Sequence, residues 1–435
     1  MDRMATLSPV ALKRSLTQRY AFVVAAVIFL SLLASAALRS APSVLLLPLE
    51  TAFGWPPAVV STSAAIGIFI NGLVGPFAGA LMARVGLRRT VIGALLLMSA
   101  AVGASLLMTE PWHLTLAWGL LASLGAGTVA PVLGATVVNR WFVTNRGLMM
   151  GLMSASTATG TLVFLPALAA LAQSGGWRAP VTALAIAFAL LVPVVALLVP
   201  EDPAAVGLRP LGATSDDAPP PAVAEPGFLA QTFGTLAMAA RTKTFWLLFA
   251  TFFVCGFTTD GIVGTHLIAF CGDHAVPEVA AAGLLALMGI CDLVGTTFSG
   301  WLTDRFDPRK LLVVYYGLRG LSLLYLPYSG FSGWTLSLFA IVYGLDWVAT
   351  VPPTLKLFNE GFGDRTGPIV FAWALAGHQT GGAVAAGLGG VLRQWQGDYT
   401  TAFLIAGLTG VIAAALSMMI DRGPAVPRAA FAAAA

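Results

Sequence analysis

The sequence predicts an all-α membrane protein of twelve transmembrane helices, arranged as two parallel six-helix repeats. Three observations carry this prediction. Of 435 residues, 58% are hydrophobic and only 10% are Asp, Glu, Lys or Arg, where a soluble globular chain carries roughly 25% charged residues to meet water. Twelve apolar stretches are long enough to cross a hydrocarbon core, which takes roughly 20 helical residues. The two halves of the chain also resemble one another at a shift of 221 residues.

The first six stretches fall at 20–49, 57–82, 90–109, 112–138, 147–172 and 178–199. The second six fall at 244–270, 277–302, 310–328, 333–355, 366–391 and 399–420. With the N-terminus inside, all of the 23 Lys and Arg except Arg39, Arg178, Arg319 and Arg393 lie in cytoplasmic segments, as the positive-inside bias requires. Both termini are therefore expected in the cytoplasm, with the chain in the inner or plasma membrane. Lys13-Arg14, an apolar run and Ala34-Ser35-Ala36 also imitate a cleavable leader. Cleavage would leave eleven spans and break the charge alternation, so a first span is expected instead.

Residues 1–199 then form an N-terminal bundle and 244–420 a C-terminal one. Between them, 200–243 is proline-rich and polar, as befits a flexible cytoplasmic linker. Its end places Phe228, Leu229, Phe233, Leu236 and Ala240 at near-helical spacing, which predicts an interfacial helix. The Pro/Ala-rich tail 421–435 is expected to be disordered.

Composition excludes several chemistries. Cys255, Cys271 and Cys291 all sit in apolar stretches and suit neither a disulfide framework nor a metal cluster. None of Lys13, Lys243, Lys310 and Lys356 follows a glycine, so a phosphate loop for ATP is absent. No H-E-x-x-H or G-x-S-x-G pattern occurs. Neither an enzyme, a cofactor, a metal nor a nucleic-acid partner is expected.

The repeat is most specific in its loops. Gly79, Leu81, Arg84, Arg88 and Arg89 between spans two and three match Gly300, Leu302, Arg305, Arg309 and Lys310 between spans eight and nine. The same shift aligns Pro131 with Pro352, Thr159 with Thr380, Gly160 with Gly381, Arg39 with Asp260, and Asn71 with Asp292. Parallel repeats of this kind place a substrate site near midplane between the halves.

Twelve spans, a long central connection and G-x-L-x-D-R-x-x-x-R-K in both loops resemble the major facilitator superfamily, across essentially the whole chain. Phe53-Gly54-Trp55, Arg140-Trp141-Phe142, Arg146-Gly147 and Gly176-Trp177-Arg178 resemble its monocarboxylate-porter and oxalate/formate-antiporter branch. The first loop departs from the motif, because Ala83 stands where the acidic residue belongs. The resemblance implies a secondary transporter for a small organic acid, coupled to protons or to a counter-substrate. It implies alternating access, with Asp304 and Arg305 helping to hold the cytoplasmic ends together. The working unit is expected to be a monomer in the lipid bilayer.

Five ionisable residues fall inside spans: Arg39, Asp260, Asp292, Arg319 and Asp346. Each should face a partner or a water-filled cavity, since a charge at a helix centre costs about 2.5–3.5 kcal/mol. Arg39 lies towards the outer end of span one, beside Pro42, and its planar fork suits a carboxylate. It could equally snorkel to the interface or pair with Asp260. Asp292 matches an acidic position of monocarboxylate porters in span eight, where it is a candidate for the coupled proton or a partner for Arg319. The arginine those porters carry one turn later is Thr296 here. Arg319 is expected to pair structurally with Asp346 or Asp292. Asn71, His378, Gln379 and Trp347 are further candidates for substrate contact, whereas His266 is expected to make structural hydrogen bonds. Pro352-Pro353 should disrupt span ten.

Thr296 keeps open a second reading, a carrier of a larger neutral or aromatic metabolite such as a vitamin. A drug-efflux antiporter is disfavoured by Phe164-Leu165-Pro166 in span five, which lacks a glycine-rich G-P motif. A non-transporting sensor is disfavoured by the lack of a soluble signalling domain.

Overall fold

In the computed structural model, residues 9–213, 228–363, 366–421 and 423 are described. The middle of the linker, Arg365, and the tail beyond Asp421 apart from Gly423 lie outside them. Among the described residues the chain is helical, with one isolated bridge between Phe142 and Leu211.

The N-terminal six helices are α1 (Pro9–Phe53), α2 (Pro57–Val85), α3 (Leu87–Leu107), α4 (Pro111–Trp141), α5 (Arg146–Gly175) and α6 (Arg178–Leu198). The C-terminal six are α7 (Lys243–Asp273), α8 (Glu278–Thr303), α9 (Pro308–Tyr328), α10 (Gly333–Phe362), α11 (Gly367–Gln396) and α12 (Thr400–Met418). A short helix, Phe228–Ala239, precedes α7. Ten of the twelve are apolar and long enough to cross a membrane among the described residues. The other two, α5 and α11, have 30 residues each, ample for a bilayer at about 1.5 Å per residue. In α11 the run Gly377-His378-Gln379-Thr380-Gly381-Gly382 dilutes the hydropathy without shortening the helix.

Helix ends follow local chemistry. Gly54 closes α1 at φ +66° and Gly86 separates α2 from α3 at φ +103°, a conformation that costs glycine nothing sterically. Proline sets the breaks within spans. Ala130, just before Pro131, is extended (φ −119°, ψ 177°) and splits α4, because the proline ring disfavours a helical residue ahead of it. At the matching place, α10 unwinds over Trp347–Thr350 before Pro352-Pro353. The sequence repeat is thus a backbone repeat as well.

Packing shows the same symmetry. Within the halves, α1 packs on α5 as α7 packs on α11, α2 on α4 as α8 on α10, and α3 on α6 as α9 on α12. Across the halves, α2 meets α11, α5 meets α8, and α1 meets α7. A two-fold exchange of the halves maps each of these contacts onto another or onto itself. The first part of the connection is pinned rather than loose: Arg140 donates to the Glu201 carbonyl at 3.0 Å, and Leu211 N–H to the Trp141 carbonyl at 2.7 Å.

The α7–α11 contact is made by small residues. Gly377, Gly381, Ala385 and Gly389 recur every fourth residue on α11, opposite Phe249, Phe253, Gly261 and His266. A β-carbon on Gly256 would overlap the His378 carbonyl, and one on Gly381 the Phe253 carbonyl. Such close approach is how membrane helices gain packing without a hydrophobic driving force. Gly381→Leu should therefore destabilise the fold by about 1–3 kcal/mol or more, read as a lower melting temperature of the detergent-solubilised protein.

Candidate functional site

The sequence candidates divide into a central group, a structural group and two helix-end groups. In the central group Arg39 comes from α1, Asn71 from α2, Asp260 from α7, and His378 and Gln379 from α11. Gln379 packs its β-carbon against Gly72, the neighbour of Asn71, and Gly382 lies between Ile68 and Asp260. These residues line the seam where the halves meet. Asp260 stands in a widened π-helical turn, Phe257–Val263, a distortion that recurs at functional sites.

Arg39 is half-buried and makes no hydrogen bond or ion pair among the described residues. Asp260 is the acidic group that acts on it electrostatically, but the two do not close a salt bridge. Asp260 is more open than His378, at 36% against 13% side-chain exposure, and its Oδ2 lies 3.9 Å from His378 Nδ1. That nitrogen and Asn71 Nδ2 are buried without a hydrogen-bond partner among the described residues. Buried polar atoms are rarely left unpaired, so these two are available to a polar ligand in the seam.

Arg319 belongs to the structural group. It is 1% exposed, and its Nε donates to Asp346 Oδ2 at 2.6 Å. Nη2 donates to the carbonyls of Asp346 and Trp347 at 2.5 and 3.1 Å. Nη1 donates to Cys255 Sγ at 3.0 Å and reaches Thr258 Oγ1 at 3.5 Å. The guanidinium therefore satisfies carbonyls freed by the α10 break and ties α9 and α10 to α7.

Asp292 serves the same break. Its Oδ1 accepts from Val348 N–H at 3.0 Å and from Thr296 Oγ1 at 2.8 Å. Pairing of Asp292 with Arg319 is thus replaced by capping of the unwound segment. Thr296 completes that cap, so in this chain the position serves architecture. Trp347 sits in the break, edge-on to Tyr343 at 5.6 Å between ring centres. His266 is fully buried, with Nε2 donating to the Ala386 carbonyl at 2.8 Å and Nδ1 facing the Tyr399 hydroxyl at 3.2 Å.

The basic loop motifs occupy one end of the molecule and do not touch each other's half. Arg84, Arg89, Asp304 and Lys310 are exposed, and their side chains make no hydrogen bond or ion pair among the described residues. Arg88 bonds the Ala196 carbonyl and Glu201 through its own backbone N–H. Arg305 lies over the Trp301 ring at 4.1 Å, and Arg309 forms a fork with Asp307 and donates to the Ile420 carbonyl at 3.1 Å. Gly79 meets only Val132 of its own half, and Gly300 faces open space.

At the opposite end the halves are latched. Arg393 of α11 donates to Glu50 of α1 at 2.6 Å and to Asp273 of α7 at 2.7 and 3.2 Å. The α2–α11 seam closes from there inwards, through Gly390 on Ser61, Gly387 on Ala65, and Gly382 on Ile68. Beyond Gly72 it parts, since Gly75 faces open space. Sequence reasoning missed this latch. Its one signal was that Arg393 stands apart from the basic loops.

The Major Facilitator Superfamily profile matches residues 27–367 and 273–434. The chain is 31% identical to monocarboxylate transporter 13 of Rattus norvegicus over 390 residues, covering 88% of this chain and 85% of that protein. It is 24% identical to the oxalate:formate antiporter of Oxalobacter formigenes over 306 residues, 69% of this chain and 68% of that one. Among solved structures, a bacterial homologue of the human lysosomal transporter Spinster, in an inward-facing and unoccupied conformation, superposes with a TM-score of 0.71. That match is 14% identical and covers 92% of this chain and 97% of the other.

Proposed function

The chain belongs to the major facilitator superfamily, and from that premise we propose that it carries a small monocarboxylate through the bilayer by alternating access. It is a transporter with a small-molecule substrate and the lipid bilayer as its surroundings, not an enzyme. The observation that carries the substrate class is Arg39: a guanidinium held in the seam between the halves with its hydrogen-bonding capacity unspent among the described residues. A carboxylate offers that fork two parallel charge-assisted bonds, and the relatives named for monocarboxylates and for oxalate and formate support the same class.

In this reading residues 1–199 and 244–420 rock against each other as two bundles, a monomer with both termini cytoplasmic. Glu50, Asp273 and Arg393 close the outer side, while the basic loops stand apart on the inner one. Arg393→Gln removes a charged partner from a largely buried pair, which shifts the balance by about 1.5–3 kcal/mol towards outward opening. A cysteine placed at Ser61, which is buried beneath Gly390, should then react faster with an impermeant maleimide in a background free of native cysteines. Unchanged labelling would remove the latch role.

Uptake into proteoliposomes tests the reading directly. Radiolabelled formate, acetate, lactate and oxalate are supplied with and without an inside-alkaline pH gradient, and with and without internal unlabelled acid. Saturable uptake of at least one monocarboxylate is the expected result. Transport of a neutral aromatic metabolite with none of the acids would put the second reading, a carrier of larger neutral or aromatic metabolites, in its place.

A further inference from the structure

We infer that the coupled proton is carried by the His378–Asp260 pair, an assignment that rests on the monocarboxylate reading of the same site. Asp292 suits this duty less well, because its Oδ1 already accepts from a backbone N–H and from the Thr296 hydroxyl at the α10 break. His378 is different. Its Nδ1 is buried, unpartnered among the described residues, and 3.9 Å from Asp260 Oδ2. A second proton on the ring makes it a cation in ion-pair range of Asp260.

Charge balance makes the proton and the substrate interdependent. Without substrate, Arg39 and Asp260 offset each other across the seam, and in this scheme His378 carries no extra proton. A carboxylate that engages Arg39 adds one negative charge, leaving Asp260 without its counter-charge. Placing an uncompensated charge in a site screened by protein is costly. A proton taken from solvent onto His378 restores neutrality, and its release with the substrate returns the site to its starting charge. No covalent bond to the substrate forms. The other ionisable groups acting on His378 are Cys255 of α7 and Arg319 of α9. Cys255 is engaged elsewhere, its Sγ accepting from Arg319 Nη1 at 3.0 Å and facing Thr350 Oγ1 at 3.3 Å. Arg319 is paired with Asp346, and Phe252 covers the imidazole ring at 4.9 Å. The proton's counter-charge is therefore Asp260.

The test compares two modes of transport in the same proteoliposomes, using the acid that the wild type takes up best. One mode is accumulation driven by an inside-alkaline gradient; the other is exchange of labelled for unlabelled acid at equal pH. His378→Gln and Asp260→Asn should each lose gradient-driven accumulation while label still exchanges, and exchange by His378→Gln should lose its pH dependence. Asp292→Asn should keep the wild-type ratio of the two modes. Gradient-driven accumulation by both central variants at the wild-type level overturns the assignment. Exchange by the wild type without any response to the gradient overturns it too, while leaving the monocarboxylate reading intact. Failure of the wild type to exchange any acid overturns both. Should the variants not fold, the wild type alone decides: substrate added to detergent-solubilised protein in weak buffer should remove a proton from solution, and a constant pH overturns the assignment.

Discussion

Replacing Arg319 with leucine is expected to destabilise the protein by about 3–5 kcal/mol, the cost of leaving a buried charge without its partner. Both members of the pair are almost wholly shielded, at 0% and 6% side-chain exposure, so solvent does little to soften the loss. The damage exceeds one ion pair, because the carbonyls of Asp346 and Trp347 lose their donor at the point where α10 has none of its own to offer. The double variant Arg319→Leu/Asp346→Leu removes the stranded carboxylate but not the stranded carbonyls, and should recover only part of the stability. Arg319→Lys keeps the charge with a single donor group and should fall between. Thermal unfolding of the detergent-solubilised protein gives the order: wild type, lysine, double leucine, single leucine. A single leucine variant as stable as the wild type would show that the clamp is not needed.

Arg39→Gln is the second large effect, and it falls on binding. Loss of a charge-assisted hydrogen bond costs about 1.5–3 kcal/mol, so affinity for a carboxylate should fall by about one to two orders of magnitude. Arg39→Lys retains charge but not the fork and should lie between. Because Asp260 acts on Arg39, a purely structural coupling of the two would predict that Arg39→Gln/Asp260→Asn regains function. A substrate anchor predicts no such rescue. Equilibrium binding and uptake by protein shown to be folded separate the cases, and wild-type affinity in folded Arg39→Gln would end the anion-anchor reading.

Most of the fold was legible in the sequence because span formation is local. A stretch of apolar residues needs only its own length and composition to become a membrane helix, as 57–82 and 178–199 did almost to the residue, becoming Pro57–Val85 and Arg178–Leu198. Proline acts on its immediate neighbours, so the break before Pro352-Pro353 was also readable, while the matching break at Pro131 came from the structure. The shared basic loops and the family likeness required no coordinates either. Helix α11, whose hydropathy is diluted by glycine and polar residues, was found from sequence pattern all the same.

Pairing of the intramembrane charges was decided by the tertiary structure. Asp292 and Asp346 lie at similar depth along their helices, and depth alone made both eligible partners for Arg319. Helix rotation and the unwound turn of α10 chose Asp346 for the guanidinium and turned Asp292 to the Val348 N–H. Glu50 and Arg393 are 343 residues apart, and no periodicity connects them. Only the approach of α1 and α11 across the seam makes them a latch. The sequence by itself determined which segments enter the membrane, because transfer free energy accumulates residue by residue along a helix. The tertiary structure determined which charges meet there, because an ion pair forms over a few ångströms set by how separate helices rotate and cross.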